Sequence, residues 1–561
     1  MSSGNPMLDG ILWGGWHWGP TGNTTVINHS APTVITYYFA HNHEFSSHDT
    51  DFSPVEIAAI QNAMQAWANV ANIQFVQVTN PNLATFIEHS VDPGFFGDPS
   101  VLGQHDTPDS PAPLNGYFNF NGYGWDYQTP NGGLQIGGYG FLTALHELGH
   151  GLGLAHPHDD GGGSLIWPGV TGPFSLGDND LNQTINTVMS YNRGWDSRQD
   201  PEGHGLTLYG YNSGPSAYDI GATQYLYGAN MTYHAGNDTY VIPDVNQPGT
   251  YWTCIWDAGG TDQIVYNGAH NVTINLNAAT LDDSPTGGGL PSYVSDTTIY
   301  GGFTIANGVI IENAQGGSGN DLITGNQADN RLYGGAGDDR AYGGDGNDRV
   351  FGNAGNDLVQ GNKGSDTVDG GDGNDLVFGG QNEDLLYGGN GDDILVNGNL
   401  GNDSIFGGNG NDLLRGGQGN DQISGDGGND LIFGDLGVDT LTGGAGDDTF
   451  AFSPGASPKV APDIVTDFDT AGDDVLLLGP VANSTNFLNT GATSATLGDA
   501  IALADADMNG TVIYVVINVA SGFSSGTNAV VFWDTDGNGT PDEAIALVNT
   551  SLSSVGTDDI I

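Results

Sequence analysis

The sequence predicts an α+β domain followed by an all-β parallel β-roll with a β-rich C-terminal cap. Three observations predict it. Strand-like and helix-like patterns alternate in the first part of the chain and lead to a histidine-rich helix, Thr143 to Pro157. From Gly316 to Ala451 the chain repeats in nines, and beyond Ala451 the periodicity stops while β-branched runs continue. At 561 residues the chain exceeds what one core holds, so several domains are expected.

Residues 1–30 are rich in Gly, Trp and Asn. Thr33-Val34-Ile35-Thr36-Tyr37-Tyr38-Phe39 is β-branched and aromatic, a strand. Ser53-Pro54-Val55-Glu56 combines a capping box with proline at the first helical position. Ile57, Ile60, Met64 and Trp67 then recur at three and four, which predicts an amphipathic helix whose stripe is core. Ile73 to Val78 reads as the next strand.

In the histidine-rich helix, His146, Glu147, His150, Gly153 and His156 spell H-E-x-x-H-x-x-G-x-x-H. Residues four apart on a helix share a face, so His146 and His150 aim at one point, with Glu147 to the side. Gly153 ends the helix by taking left-handed angles that a Cβ disfavours, and the turn can return His156 as a third nitrogen ligand. Three protein ligands with one open position is the arrangement of a catalytic zinc. His158, Asp159 and Asp160 follow; His158 is set aside because His156 already fills the third position.

On this motif the chain resembles the metzincin zinc endopeptidases, and among them the serralysin family, secreted bacterial metalloproteases with a calcium-binding repeat domain. Thr187-Val188-Met189-Ser190-Tyr191 fits the family's Met-turn. The resemblance implies that Met189 forms a floor beneath the zinc, and that Tyr191 can bind the zinc and swing away to stabilise the oxyanion. It places Gly116-Tyr117-Phe118-Asn119-Phe120 as an antiparallel edge strand above the cleft, with Tyr117 and Phe118 at the substrate; for these side chains an ordinary buried aromatic strand fits equally. Pro215 to Gly228 resembles the last catalytic-domain helix, with Asp219 near its start, where a carboxylate favours the helix dipole. Asp257, Gly259, Asp262 and Glu312 look like the family's first calcium sites.

The repeats read G-G-x-G-x-D-x-U-x, with U apolar. The sixth position holds Asp321, Asp339, Asp348, Asp357, Asp366, Asp375, Asp384, Asp393, Asp403, Asp412, Asp421, Asp430, Asp439 and Asp448, with Asn330 the one exception. The eighth position is apolar throughout, weakest at Ala341, and one inserted residue, assigned to Asn397, makes a single ten-residue step. Glycine-rich loops with an aspartate supply hard oxygen ligands suited to calcium, and three-residue strands send one apolar side chain inward. Stacking then builds a parallel β-roll, an RTX repeat domain, with calcium between turns. So little apolar burial predicts that the region is disordered until calcium binds.

An open roll end exposes strand edges and so calls for a cap, and Pro462 to Phe468 with Asp473 to Leu478 resembles the serralysin segment that caps the roll. Asp534 to Asp542 has the oxygen spacing of a calcium loop but lacks a glutamate at position twelve, where Ile545 stands; a weak site and a plain turn both fit. The ending Asp558-Asp559-Ile560-Ile561 resembles a type I secretion signal.

With 8 Lys plus Arg against 66 Asp plus Glu, the formal charge is -58, which excludes nucleic acid and anionic membranes as partners and calls for bound cations. One cysteine, Cys254, excludes an intramolecular disulfide. The first thirty residues carry no Lys or Arg and no long apolar run, so no Sec-type signal is expected, and nothing spans a membrane. The expectation is a catalytic domain over 1–235, its first thirty residues propeptide-like, then a β lead-in with calcium sites over 236–315. The roll follows over 316–451 and the cap with secretion signal over 452–561. The resemblance implies a monomeric, secreted, extracellular peptide hydrolase with one Zn2+ and several Ca2+, acting on protein or peptide substrates and exported by type I machinery. The rival readings are a calcium-binding surface or adhesin-like protein with a vestigial peptidase domain, and a zinc peptidase of another clan.

Overall fold

In the computed structural model, the β-branched run Thr33–Phe39 forms strand β1, alternating buried and accessible along its first half. The structure describes every residue except 1, 20–21, 25–28, 30, 127–131, 193–208, 469–472, 509–510, 521–522 and 524–527. Its contacts divide it into two units, Met1–Ile311 and Glu312–Ile561.

In the first unit, helix α1 (Pro54–Val70) starts at the reciprocal Ser53–Glu56 capping box and buries Ala59, Ile60, Ala63, Met64, Trp67 and Val70. Strand β2 (Ile73–Gln77) follows, then β3 (Phe86–Val91), β4 (Gly103–His105) and β5 (Leu114–Asn119). The sheet order is β2-β1-β3-β5-β4, parallel except for β4, and the short segment Asp49–Thr50 pairs antiparallel with the end of β3. This corrects the expected edge strand. Tyr117 and Phe118 lie on β5, which has β3 on one side and β4 on the other, so its main-chain groups are taken. The Tyr117 ring stacks between His89 and Phe95, and the fully buried Phe118 stacks on Trp125. The antiparallel edge is β4, three residues with little strand propensity, held by pairing with β5.

Helix α2 (Tyr139–Leu152) is buried from Gly140 to Leu152 and packs on α1, whose Trp67 indole donates to the Leu145 carbonyl at 3.2 Å. The N-terminal segment crosses its far end. Trp13 N–H donates to the Gly153 carbonyl at 2.8 Å, Trp18 Nε1 donates to the Gly151 carbonyl at 3.0 Å, and Met7, Leu8, Ile11 and Leu12 are buried. Helix α3 (Ala217–Tyr227) follows and buries Ala217, Tyr218, Asp219, Ile220, Ala222, Thr223, Leu226 and Tyr227. Short strands after residue 236, including the parallel pair Trp252–Ile255 and Gly302–Ile305, fall in this same first unit.

The second unit is a parallel β-roll. Each residue pairs with its counterpart two units on: Leu332 with Val350, Val350 with Val368, and so on. Every eighth-position side chain is buried, Ala341 included. The ten-residue step lies at Ile394 rather than Asn397. Val377 pairs with Val396 and Phe378 with Asn397, so Asn397 is in register. Ile394 is 57% exposed, and its N–H shares the Asp375 carbonyl with that of Leu395, which is a bulge. Three consecutive apolar residues, Ile394-Leu395-Val396, offer alternative inward side chains, and packing selects Val396.

The cap extends both sides of the roll. Asp463–Val465 continues one and pairs with Glu543–Val548; Val475–Leu477 continues the other. Antiparallel strands Tyr514–Val519, Asn528–Trp533 and Glu543–Val548 bury their apolar side chains with Ala500 and Ala504 of the helix Leu497–Asp507. The tail is docked: Leu476 N–H donates to the Asp559 carbonyl at 2.7 Å, and Ile560 is fully buried.

Candidate metal centre and cleft

The i,i+4 spacing puts the His146 and His150 rings 4.9 Å apart on one face of α2. Gly153 then takes φ 100°, and a Cβ there would lie 2.3 Å from the Trp16 carbonyl oxygen. The reversed chain brings His156 Nε2 to 3.1 Å from both His146 Nε2 and His150 Nε2.

The outer nitrogens are each held by an oxygen. His146 Nδ1 donates to the Val188 carbonyl at 2.8 Å, His150 Nδ1 to the Leu154 carbonyl at 2.9 Å, and His156 Nδ1 to Asp159 Oδ2 at 2.7 Å. The three Nε2 atoms are therefore lone pairs facing one another, with no proton to share. Burial first, and mutual repulsion second, push His146 and His150 down to about 3; His156, lowered mainly by burial, sits at about 4. Neutral imidazoles converging on one point fit a cation. Tetrahedral ligands about 2.0–2.1 Å from zinc lie roughly 3.3 Å apart, close to the spacing here. Asp159, the residue that orients His156, is the partner the motif does not name. His158 stacks on His156 at 4.9 Å and lies outside the converging trio.

Met189 is fully buried beneath α2, and a Cβ on Gly149 would lie 2.6 Å from its Sδ. The Tyr191 ring is 4.7 Å from that of His156 and 43% exposed, on the open side. Burial, then the charges of Glu147 and Asp159, push its hydroxyl up to about 12, so it stays a donor at neutral pH.

Asp219 does more than meet a helix dipole. Fully buried, it accepts from Thr187 Oγ1 at 2.6 Å, Val188 N–H at 2.7 Å and Ser216 N–H at 2.9 Å. Burial lifts its carboxyl to about 7 against these hydrogen bonds. It thereby fixes the turn whose Val188 carbonyl orients His146. Asp219→Ala is expected to destabilise the first unit by about 3 kcal/mol and to weaken zinc affinity about tenfold, measured by melting and by chelator competition.

Glu147 is buried at the wall of a cavity of about 450 Å³ bounded by Gly103 and Leu102 near the sheet edge and by Leu142, Thr143 and Val188 below. Burial, with Glu88 adding and His105 opposing, lifts its carboxyl to about 8.

The sixth-position aspartates form columns. Oδ1 of Asp357 accepts the N–H of Asp339, Oδ1 of Asp375 that of Asp357, and the pattern continues. Among the described residues, no hydrogen-bond partner reaches the buried Oδ2 of Asp339, Asp348, Asp357, Asp366, Asp375, Asp384, Asp393, Asp403, Asp412, Asp421, Asp430, Asp439, Asp448 or Asp463. Such orphaned anionic oxygens fit a hard cation. Asn330, the exception, uses its amide to donate to the Glu312 carbonyl at 3.0 Å. In the first unit, Asp257 lies with His234 and Asp238 in a group whose ligand atoms could share a metal, and Asp262 accepts from Asp238 N–H at 2.7 Å. Carboxylates of Asp534, Asp536 and Asp542 also cluster, but Asp534 is already engaged by the Gly537 and Gly539 N–H groups.

A largely parallel sheet, two packed helices, three convergent histidines and a methionine turn define the metzincin class. A family model described as Matrixin matches residues 29–185, and one described as Peptidase M10 serralysin C terminal matches 216–532. "Serralysin" of Proteus mirabilis is 34% identical over 327 residues, covering 54% of this chain and 61% of that protein. "Serralysin" of Photorhabdus luminescens is 36% identical over 308 residues (52% and 56%), and "Metallopeptidase AprA" of Pseudomonas marginalis 34% over 298 (50% and 56%). The chain thus aligns with little more than half the length of these relatives. It belongs to the serralysin family.

Proposed function

We propose that the chain is a secreted zinc-dependent endopeptidase that cleaves peptide bonds in proteins and is folded by calcium in its repeats. The observation that carries this reading is the convergence of three unprotonated Nε2 atoms beside a buried glutamate on an open cavity.

His146, His150 and His156 would hold the zinc. Bound there, zinc supplies Lewis acidity that lowers the pKa of water to about 7 and polarises a carbonyl. Glu147 takes the proton of the attacking water and returns it to the leaving amine. The Tyr191 hydroxyl donates to the developing oxyanion. The exposed edge of β4 offers main-chain groups to an extended peptide. Apart from His146, Glu147 and tyrosine, the cavity is lined by non-ionisable residues, so it suits an uncharged substrate side chain.

The aspartate columns would hold calcium, which supplies the positive charge that their orphaned oxygens need. In calcium-poor cytosol the repeats stay unfolded for export; outside, at about 10⁻⁴–10⁻³ M calcium, they fold. No helix among the described residues is long and apolar enough to cross a membrane. Casein digestion with and without a zinc chelator tests the enzyme. Chelator-sensitive cleavage is expected, and a zinc-loaded, folded protein that leaves casein intact would favour the surface-protein reading instead.

A further inference from the structure

Beside Glu147, two ionisable side chains are buried together. Glu88 lies on β3 and His105 ends β4, with both side chains 0% exposed and His105 Nε2 3.6 Å from Glu88 Oε1. His105 Nδ1 donates to the Asp106 carbonyl at 2.8 Å, which aims Nε2 at Glu88. Among the described residues, no hydrogen-bond partner within bonding distance reaches either Glu88 oxygen or His105 Nε2.

The chamber is cut for them. A Cβ on Gly116 would lie 2.1 Å from Glu88 Oε2 and 2.6 Å from His105 Cδ2. A Cβ on Gly151, on the facing helix α2, would lie 2.6 Å from His105 Cε1. Phe86 closes the pocket edge-on, 4.8 Å from the imidazole. The strand carrying His105 touches Glu147 directly: a Cβ on Gly103 would lie 2.7 Å from Glu147 Cγ, and the His105 main-chain N–H is directed at the Glu147 carboxylate. Burial pulls the His105 imidazolium down, but the Glu88 charge, contact with Glu88 and the Asp106 carbonyl outweigh it and raise its pKa.

Buried charges are costly unless paired, and an apolar pair of similar volume would hold sheet to helix at no such cost. What this pair adds is direction: it clamps the end of β4 so that its N–H meets the carboxylate that must face the attacking water.

We propose that Glu88 and His105 are a positioning pair for Glu147, fixing the edge strand against the general base. This rests on the reading of Glu147 as the base.

The test uses the zinc- and calcium-loaded full chain and a fluorogenic peptide. Glu88→Gln, which keeps shape and removes charge, and His105→Gln are each expected to lower kcat about tenfold or more with KM and zinc content unchanged. The double variant is expected to lose no more than either single one. In a Glu147→Gln background, His105→Gln is expected to cost nothing further, because the residue it positions is gone. An equal loss in both backgrounds would reveal a merely structural role and overturn the proposal, as would unchanged kcat in Glu88→Gln. An inactive wild type would overturn the peptidase reading and this proposal together, whereas a fully active Glu147→Gln would leave the peptidase standing and overturn only the role of Glu147 and this proposal.

Discussion

Glu147→Gln is expected to keep its zinc and lose about 10²–10⁴ in kcat. The substitution preserves volume and leaves His146, His150 and His156 with their Val188, Leu154 and Asp159 partners, so metal binding has no reason to change. It removes the buried carboxylate that lines the cavity beside the trio and can accept a proton from water. In the metal-free site, burial is the chief reason its carboxyl sits at about 8; a cation on the histidines acts in the opposite sense and favours the ionised base. Elemental analysis and steady-state kinetics on one peptide decide the matter. A metal-replete variant with near wild-type kcat would remove Glu147 from the reaction. Loss of metal together with activity would instead make it part of the metal cage.

Removing calcium is expected to abolish the β-structure of the repeats at pH 8, and acid is expected to restore part of it. In the metal-free fold, burial lifts Asp339 and Asp384 to about 8 and Asp357 and Asp403 to about 6, from an ordinary 3.8. The folded state therefore binds more protons than the unfolded one, roughly between pH 4 and pH 8. A raised carboxyl adds stability that is complete below its unfolded value and lost as pH rises through the folded one. Chelated protein at pH 8 should lack the roll's circular dichroism and regain some of it near pH 5. With calcium present the sign reverses, because protons compete with the ion, and the calcium midpoint should move to higher concentration on acidification. A β signal indifferent to chelator at pH 8 would show that the orphaned oxygens need no cation. An apo protein that loses structure on acidification would show that column burial is not what opposes folding.

The parts legible in the sequence are those whose cause is local. The ligands of the trio lie within eleven residues, so one helical turn, a glycine and a reversal suffice to bring them together. The repeats are legible because one side chain in nine must turn inward, and the period survives even where Ala341 fills the place. What is hidden depends on partners distant in the chain. Gly103–His105 is a strand only because β5 lies beside it, and nothing in Gly-Gln-His announces that. Asp219 acts on Thr187 and Val188, about thirty residues earlier, through a tertiary contact. Glu88 and His105 carry no spacing rule, and the glycines that make room for them resemble ordinary turn residues. At Ile394 two registers satisfy the apolar rule equally, and only the fit of Val396 distinguishes them.

The aspartate columns also constrain how such a chain can change its length. Because each Oδ1 within the repeats reaches the main chain two units back, 18 residues away or 19 across the Ile394 step, strand pairing runs as two interleaved threads, one per side. Loss or duplication of one nonapeptide would hand every later strand to the opposite thread, with the cap's two flanking strands arriving on exchanged sides. Paired units can be gained or lost with both threads unbroken, so evolution can lengthen this region in steps of two.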